Sequence, residues 1–248
     1  MPVQLFSAAE RERLDRFPDT VEHDDLITFF TLSDEDKARI PVFSAAPNRL
    51  GFALQLCTLR FIGFVPDALT IMPGPVVEHV ASQLGVAPRV LASYGARAHT
   101  RTDHLQEVLE YLGYRRASRG DLKDLSRWLL ERALEHDKPS LLYTLTCERP
   151  HSEKILRPGV TRLERLIAEA RQNAQAETLR RLDPVLTEAC RAVLDGLLVS
   201  EPSKGGTTLS WLRRAAVANT PKAVLRNLEK LAFLKALSVH KWNLANPL

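Results

Sequence analysis

The fold is decided by residues 48–64, which read NRLGFALQLCTLRFIGF. Pro47 and Asn48 open this run as a helix, because proline is well tolerated at the first helical position. The helix from Arg49 to about Phe64 is apolar on nearly every side, and such helices belong in the interior of a protein. The sequence therefore predicts that this helix is the buried centre of a first domain.

Helix signals also dominate the rest of the chain. Apolar residues recur at spacings of three and four residues, and Ser7, Ser33 and Ser118 stand in capping positions before such runs. Alternating strand patterns are scarce. We predict an all-α protein of about a dozen helices, arranged in two modules with helix-turn-helix-like elements.

Two stretches interrupt the helical pattern and are interpreted as linkers. Residues 148–159 contain two prolines and a glycine without apolar periodicity, and residues 201–207 contain one proline and two glycines. The predicted modules are residues 1–157, acidic over 1–96 and basic and helix-turn-helix-like over 97–147, and residues 158–248, which carry a basic C-terminal helix pair.

The charge of the chain is strongly polarised, although its net charge is only +4 over 248 residues. Residues 1–96 hold eight Lys/Arg and twelve Asp/Glu, whereas residues 97–248 hold 26 and 18. Residues 202–248 hold eight bases and one acid, Glu229. A basic half suits a polyanionic partner such as nucleic acid. The alternative is that the basicity is an incidental property of a solvated surface.

Missing motifs argue against several classes of function. Cys57, Cys147 and Cys190 lie far apart without a second Cys or His at ligand spacing, which argues against zinc and disulfides and fits a reducing cytosol. His99 and His104 are five residues apart and so lie on different helix faces. The chain also lacks a Gly-rich phosphate loop and a nucleophile elbow. We expect no cofactor, no metal and no small-molecule substrate.

The sequence also carries no signal for export or for membrane insertion. Its N-terminus lacks the basic start and the apolar run of a secretory signal. The most apolar stretch, residues 50–65, is too short and too polar to span a bilayer. We therefore expect a cytoplasmic protein without a membrane partner.

The first candidate DNA-binding element is a helix over residues 102–113 that Thr102 caps, a turn over 114–117 and a helix over 118–137. A short turn that sets two helices at an angle is the framework of helix-turn-helix proteins. Arginine suits this task because its planar fork holds phosphate or guanine with two hydrogen bonds. The alternative is an ordinary helical hairpin with Arg–Glu pairs. The cations assigned to this element are Arg97, Arg101, Arg115, Arg116, Arg119, Lys123 and Arg127.

The second candidate is a helix over residues 210–217, a turn over 218–220 and a helix over 221–237. Few acids are available to neutralise this region, which favours DNA as its partner. We expect Trp211 and Trp242 to lie in a core or a module interface rather than to stack on bases. The cations assigned to this element are Lys204, Arg213, Arg214, Lys222 and Arg226.

Arg49 and Arg60 lie eleven residues apart and so share one face of the apolar helix. A half-buried arginine needs an acidic partner. The first three helices are rich in acids, so structural ion pairs are favoured over DNA contacts for both residues.

Several of these segments resemble one family. Residues 48–61, 101–115 and 156–171, together with 209–213 and 221–237, are similar to the N-terminal region of transposases of the Tn-three family of replicative class II transposons. The resemblance covers essentially the whole chain. It implies a bacterial, mostly helical region that binds double-stranded DNA at the terminal inverted repeats of a transposon and that is associated with the nucleoid.

The same resemblance implies that this chain alone is not an enzyme. In the family, the metal-dependent acidic site lies in a C-terminal RNase H-like domain, and none of its acids can be placed on this sequence. The alternative function is a helical module that binds the rest of a transposase or a second copy of itself, with only weak, non-specific DNA binding. The third hypothesis is an autonomous nuclease, which predicts Mg²⁺-dependent nicking of inverted-repeat DNA.

Overall fold

The computed structural model describes residues 5–40, 45–96, 98–201, 205–215 and 220–238. Within these ranges the protein is helical apart from four two-residue strands, which confirms the predicted all-α class. The α-helices are α1 (Ala8–Leu14), α2 (His23–Phe30), α3 (Asp34–Arg39), α4 (Ala46–Ile62), α5 (Gly74–Leu84), α6 (Ala98–Leu112), α7 (Arg119–Glu135), α8 (Pro139–Ser152), α9 (Val160–Leu182), α10 (Glu188–Gly196), α11 (Thr208–Arg213) and α12 (Pro221–Ala236). Short 3₁₀ helices cover Leu69–Ile71, Pro88–Ser93 and Asp183–Val185.

The predicted serine caps are present at the starts of three helices. Ser7, Ser33 and Ser118 each accept a hydrogen bond from the backbone N–H three residues on, and the acid at that position binds the serine N–H in return. This capping box satisfies two backbone donors that a helix start otherwise leaves open. Thr102 does not cap a helix: α6 begins earlier, at Ala98, so Thr102 lies inside it.

The helix α4 is the centre of the first hydrophobic core, as its sequence predicts. All residues from Leu50 to Leu59 are buried, and α2, α5 and α6 pack around them. The helix ends at Gly63, whose φ of 72° is left-handed and whose N–H bonds the carbonyl of Leu59 at 3.0 Å. Burial raises the pKa of the Cys57 thiol to about 12, so this cysteine is an inert core residue.

Gly51 allows a close approach between α4 and the 3₁₀ helix Pro88–Ser93. A Cβ atom at Gly51 would lie 2.3 Å from the ring of Tyr94, which rests directly on the helix backbone. The Tyr94 hydroxyl in turn hydrogen-bonds Nδ1 of His104 at 3.0 Å. Burial lowers the pKa of His104, which is therefore a satisfied core histidine.

A second hydrophobic core joins α7, α8 and the first half of α9. Leu125 and Leu129 of α7 meet Leu142 of α8 and Leu163 and Ile167 of α9. The segment from Leu5 to Arg11 is attached to the same core, because the carboxylate of Glu164 accepts hydrogen bonds from the backbone N–H groups of Leu5 and Phe6 at 2.7 and 3.0 Å and from the Arg11 side chain at 2.7 Å.

The first predicted linker is wrong. Residues 148–152 continue α8, which tolerates Pro150 near its end, and the chain then forms a strand, β2 (Ile155–Leu156). This strand pairs in parallel with β1 (Arg115–Arg116), in the predicted 114–117 turn. Two-residue strands escape a search for periodicity because their pairing depends on a partner about 40 residues away.

The chain forms two compact units, residues 1–174 and 175–248. The predicted division lies at 157/158, but the apolar residues of α9 up to Ala174 are buried in the first unit. The division therefore falls within α9.

The second unit contains the remaining short elements. The strands β3 (Ser200–Glu201) and β4 (Gly206–Thr207) form an antiparallel pair where the sequence predicts a second linker. Thr207 caps α11 by accepting the N–H of Ser210. The helix α11 ends at Arg213, earlier than predicted, and the predicted turn at 218–220 falls largely outside the described residues.

Candidate nucleic-acid interface

The connection between α6 and α7 is a fixed element. Gly113 closes α6 with a φ of 71°, and the N–H of Tyr114 reaches back to the carbonyl of Leu109 at 2.8 Å. The N–H of Arg115 then bonds the carbonyl of Lys154 at 3.0 Å. The predicted turn over 114–117 therefore contains a short strand, which is hydrogen-bonded to the segment that leads into α9.

Arg115 is held in one orientation. Its two terminal nitrogens donate to the two carboxylate oxygens of Asp121 at 2.5 and 2.7 Å. The same carboxylate accepts the N–H of Ser118 as part of the capping box. The Arg115 side chain, followed by these serine contacts, holds the pKa of Asp121 well below its usual range. Arg115 therefore lies just before α7, and part of the hydrogen-bonding capacity of its guanidinium group is already used by Asp121.

Three further cations at the start of α7 are exposed. Arg116, Arg119 and Lys123 form no ion pair among the residues that the structure describes. Arg119 and Lys123 lie one helical turn apart on the exposed part of α7, whereas Leu125 and Leu129 are buried. Arg127 continues this row but contacts Asp124 at 3.2 Å.

These cations occupy an unfavourable end of the helix. The N-terminus of a helix carries partial positive charge, and a basic side chain there costs roughly 0.3–1 kcal/mol. Asp121 offsets part of that cost, but Arg119 in the first turn and Lys123 in the next one have no such partner in the described parts of the chain. Because these cations are unfavourable for the dipole of their own helix, they are well placed to bind an external anion.

Of the two cations that the sequence assigns ahead of the predicted helix 102–113, Arg97 and Arg101, only Arg101 is described. Arg97 lies outside the described residues. Arg101 is half-buried inside α6, where it packs on Gly95 and donates to the carbonyl of Asp67. The structure therefore gives Arg101 a role in holding the loop after α4.

The predicted cations of the second unit lie mainly on α11 and α12. Arg213 and Arg214 are exposed at the end of α11, and Lys222 and Arg226 are exposed one turn apart on α12. Lys204 lies outside the described residues. Trp211 is half-buried and packs edge-on against Phe233 of the same unit, with ring centroids 5.8 Å apart; Trp242 is outside the described residues.

The expectation for Arg60 is confirmed and that for Arg49 is not. Arg60 forms two hydrogen bonds, of 2.8 and 3.2 Å, to the buried carboxylate of Asp36, which also accepts the hydroxyl of Tyr111 at 3.0 Å. Arg49 instead donates to the carbonyl of Leu84 at 3.3 Å. A backbone carbonyl at the end of α5 takes the place of the predicted acid.

One buried arginine has no counterpart among the sequence predictions. Arg157 lies across the ring of Phe64 at 3.5 Å and donates to the carbonyl of Leu14 at 3.0 Å and to Asp15 at 3.1 Å. Arg157 also donates a hydrogen bond to the hydroxyl oxygen of Tyr143. Local sequence gives no signal for it, because its partners come from α1, α8 and the loop after α4.

A cavity of about 250 Å³ lies between the start of α7 and the segment before α9. Ala117 and Asp121 line one side of it, and Ile155 and Pro158 line another. The three carboxylates in its lining each pair with an arginine: Asp121 with Arg115, Asp124 with Arg127, and Glu153 with Arg149.

The described residues offer no metal or membrane alternative. Among them, no three His, Cys, Asp or Glu side chains come together as a metal site. No helix in these ranges is long and apolar enough to cross a bilayer.

Residues 5–170 match the family described as "Domain of unknown function (DUF4158)". The chain is 35% identical over 232 residues to the transposase for transposon Tn501 from Pseudomonas aeruginosa and 32% identical over 235 residues to that for Tn21 from Escherichia coli. It is 31% identical over 250 residues to the transposase for transposon gamma-delta from Escherichia coli K12.

The chain belongs to the DUF4158 family, and its relatives are transposases of the Tn-three family. These matches cover 93%, 95% and 98% of the chain but only 23%, 24% and 25% of the three transposases. The chain thus spans about a quarter of the length of these curated relatives. The resemblance stated from the sequence motifs is confirmed.

Proposed function

We propose that this chain binds double-stranded DNA sequence-specifically at the terminal inverted repeats of a transposon, as part of a transposase in replicative transposition. The observation that carries the proposal is the row of exposed cations at the start of α7, Arg116, Arg119 and Lys123, without carboxylate partners in the described residues. That row stands in a protein whose relatives are named as transposases.

The recognition element of this proposal is α7. Its exposed face enters the major groove, whose width of about 12 Å admits a helix. Arg116, Arg119 and Lys123 hold phosphates and base edges, while Arg115 and Arg127 contribute less because Asp121 and Asp124 already occupy part of their donors. The short β1–β2 pairing supports this role, because it fixes the start of α7 relative to the rest of the unit.

The second unit adds a separate DNA contact. Arg213, Arg214, Lys222 and Arg226 are exposed, and the same proposal assigns them to the phosphate backbone. Glu229 is the only acid in residues 202–248. Two contact regions in one chain fit a long recognition site such as an inverted repeat.

The proposal assigns no catalytic step to this chain. Strand cleavage and transfer are left to other parts of a full-length transposase, and binding needs neither a metal nor a cofactor. Double-stranded DNA is the partner, which places the protein on the nucleoid in the bacterial cytoplasm.

Titration of a labelled inverted-repeat duplex at several salt concentrations tests the proposal. With about six to ten phosphate contacts, the logarithm of the association constant falls with the logarithm of salt concentration with a slope near −5 to −9. A scrambled duplex of the same length is the control and binds more weakly. Equal affinity for both duplexes, or no salt dependence, contradicts the proposal.

One observation favours the alternative of a protein-interaction module. The helix α12 exposes Val224, Leu225, Leu228 and Leu231, each by more than half of its surface. Such a face suits a helix–helix contact with a second copy of the chain. That function predicts a concentration-dependent dimer in light scattering together with weak, sequence-blind DNA binding, whereas the leading proposal predicts discrimination between the two duplexes.

A further inference from the structure

The start of α9 carries two exposed cations to which the sequence patterns assign no role. Arg162 and Arg165 lie three residues apart and therefore on one side of the helix. The opposite side is buried through Leu163 and Ile167. Neither arginine forms an ion pair among the described residues, and Glu164 between them points to the backbone of Leu5 and Phe6 instead.

The strand pair brings these cations to the edge where α7 begins. β1 and β2 are parallel, with Arg116 opposite Leu156, so the chain leaves both strands at the same end of the pair. The helix α7 begins three residues after β1, and α9 begins four residues after β2. Ala117 and Pro158, from these two connections, line the same cavity.

The reach of the chain limits how far apart the two helix starts are. Paired strands lie about 4.8 Å apart, and connections of three and four extended residues span at most about 10 Å and 14 Å. The first residues of α7 and α9 are therefore within about 29 Å of each other, which is less than about 34 Å, the length of one turn of duplex DNA. A single duplex can reach both.

The acids at this edge do not compete for the cations of α9. Asp121, Asp124 and Glu153 each pair with an arginine of their own neighbourhood. Glu169, one turn beyond Arg165, is exposed and forms no ion pair within the described chain. The first turn of α9 contains Arg162 and no acid. Such a placement does not stabilise the helix, because its dipole disfavours basic residues there.

We propose that Arg162 and Arg165 bind the phosphate backbone of the same DNA duplex that α7 reads, so that α7 and α9 grip it together. This inference rests on the proposed function and adds a second contact surface within the first unit. The role is positional: the two arginines hold phosphates and leave sequence discrimination to α7. Phosphate contacts of this kind fix the register of a recognition helix without reading bases.

The test compares the full chain with its Arg162→Gln/Arg165→Gln variant on inverted-repeat and scrambled duplexes. We expect about tenfold weaker binding to both duplexes and a salt slope that is smaller by about 2, one for each lost phosphate contact. The ratio of the two affinities stays at its wild-type value. Circular dichroism and thermal unfolding verify that the variant is folded.

Two further variants make the result decisive. Lys37→Gln/Arg89→Gln removes the same two charges from exposed positions in the acidic part of the first unit, and we expect less than a threefold effect from it. Arg162→Lys/Arg165→Lys keeps the charges, so binding returns to within about threefold of wild type.

The outcomes separate this inference from the function on which it rests. If the wild-type chain does not prefer the inverted repeat, the proposed function itself is wrong. If the wild-type chain does prefer it and the Gln variant keeps the wild-type affinity and salt slope, the α9 contact alone is wrong. Loss of sequence preference in the Lys variant would show that the arginines read bases, which also overturns the phosphate assignment.

Discussion

The regions around α4 and α7 both contain arginines on helices, yet they place them in opposite surroundings. Arg60 of α4 reaches a carboxylate that is 1% exposed, and Tyr111 adds a third hydrogen bond to the same group. Arg119 of α7 lies on the surface without a partner in the described residues. The first arginine is part of the interior of its unit, whereas the second is available to a ligand.

The role of a basic residue in this protein therefore depends on its partners rather than on how many basic residues surround it. The position of Arg101 before a predicted helix suggests a DNA contact, but the side chain packs on Gly95 and bonds the carbonyl of Asp67. Arg157 lies in a predicted linker, but it is 7% exposed and bonded on several sides. Only an arginine with free donors at the surface remains a candidate for phosphate.

The largest expected effect comes from removing the buried carboxylate of the α4 region. Asp36→Asn leaves Arg60 half-buried without a countercharge, and breaking a buried pair in this way costs about 3 kcal/mol of unfolding free energy. Urea unfolding followed by circular dichroism measures the loss. DNA binding at low temperature, where the variant is folded, stays within twofold of wild type.

The matched control is Asp34→Asn on the same helix. Asp34 is exposed in the first turn of α3, so the variant loses only a favourable contact with the helix dipole, about 0.5 kcal/mol. Equal destabilisation by the two substitutions would mean that Asp36 acts through the helix start, and the pair with Arg60 would then have no special weight.

The next largest effect is expected at the start of α7, where removing cations weakens DNA binding but raises the unfolding free energy. Arg119→Gln/Lys123→Gln removes two phosphate contacts and weakens binding to the inverted-repeat duplex about 30-fold at moderate salt. The same substitutions raise the unfolding free energy by up to about 0.5 kcal/mol, because cations oppose the helix dipole at this end. Fluorescence anisotropy and urea unfolding measure the two quantities on one preparation.

Single substitutions along α7 sharpen this prediction. Lys123→Gln and Arg127→Gln each remove one charge from the same face, but Arg127 contacts Asp124 at 3.2 Å. We expect about fivefold weaker binding for the first variant and less than twofold for the second. A larger effect for Arg127 would move the contact surface towards the middle of the helix and contradict the assignment.

The sequence predicted the parts of the fold that depend on local chemistry. The apolar run from Leu50 to Leu59 marked the central helix, and the serine at 118 marked the start of α7, because caps and burial patterns are written in neighbouring residues. The pairing of β1 with β2 was out of reach, since it joins residues about 40 positions apart and involves only two residues in each strand.

The candidate site was predictable to the same extent. Arg116, Arg119 and Lys123 follow from their place around a helix start, and the structure leaves them exposed. The partners of Arg115 and Arg101 decide what those side chains do, and only Asp121 is near enough in sequence to be guessed. The cations of α9 become candidates only because the parallel pairing of β1 and β2 brings the starts of α7 and α9 to the same edge.

The smallest expected effect is the contribution of two carboxylates of the interior to the dependence of stability on pH. Burial raises the pKa of Asp36, but Arg60, the Ser33 N–H and the Tyr111 hydroxyl together outweigh it and hold this pKa below the ordinary value of 3.8. Burial likewise opposes Arg11 and two backbone N–H groups at Glu164, whose pKa also ends below its ordinary value of 4.5.

A carboxyl group with a lowered folded-state pKa contributes stability that is present above its unfolded pKa and is lost as pH falls through the folded one. The urea midpoint of the wild-type chain should therefore be constant above about pH 5 and fall as the pH drops below about 4.5. Asp36→Asn removes one of the carboxyl groups with a lowered pKa, so its midpoint, though lower throughout, should fall less steeply over the same interval. Arg119→Gln/Lys123→Gln should follow the wild-type slope, because it leaves Asp36, Glu164 and their hydrogen-bond partners in place. If Asp36→Asn follows the wild-type slope as well, the acid sensitivity arises outside the Asp36–Arg60 pair, and the contrast between an interior arginine and a ligand-facing one loses its thermodynamic basis.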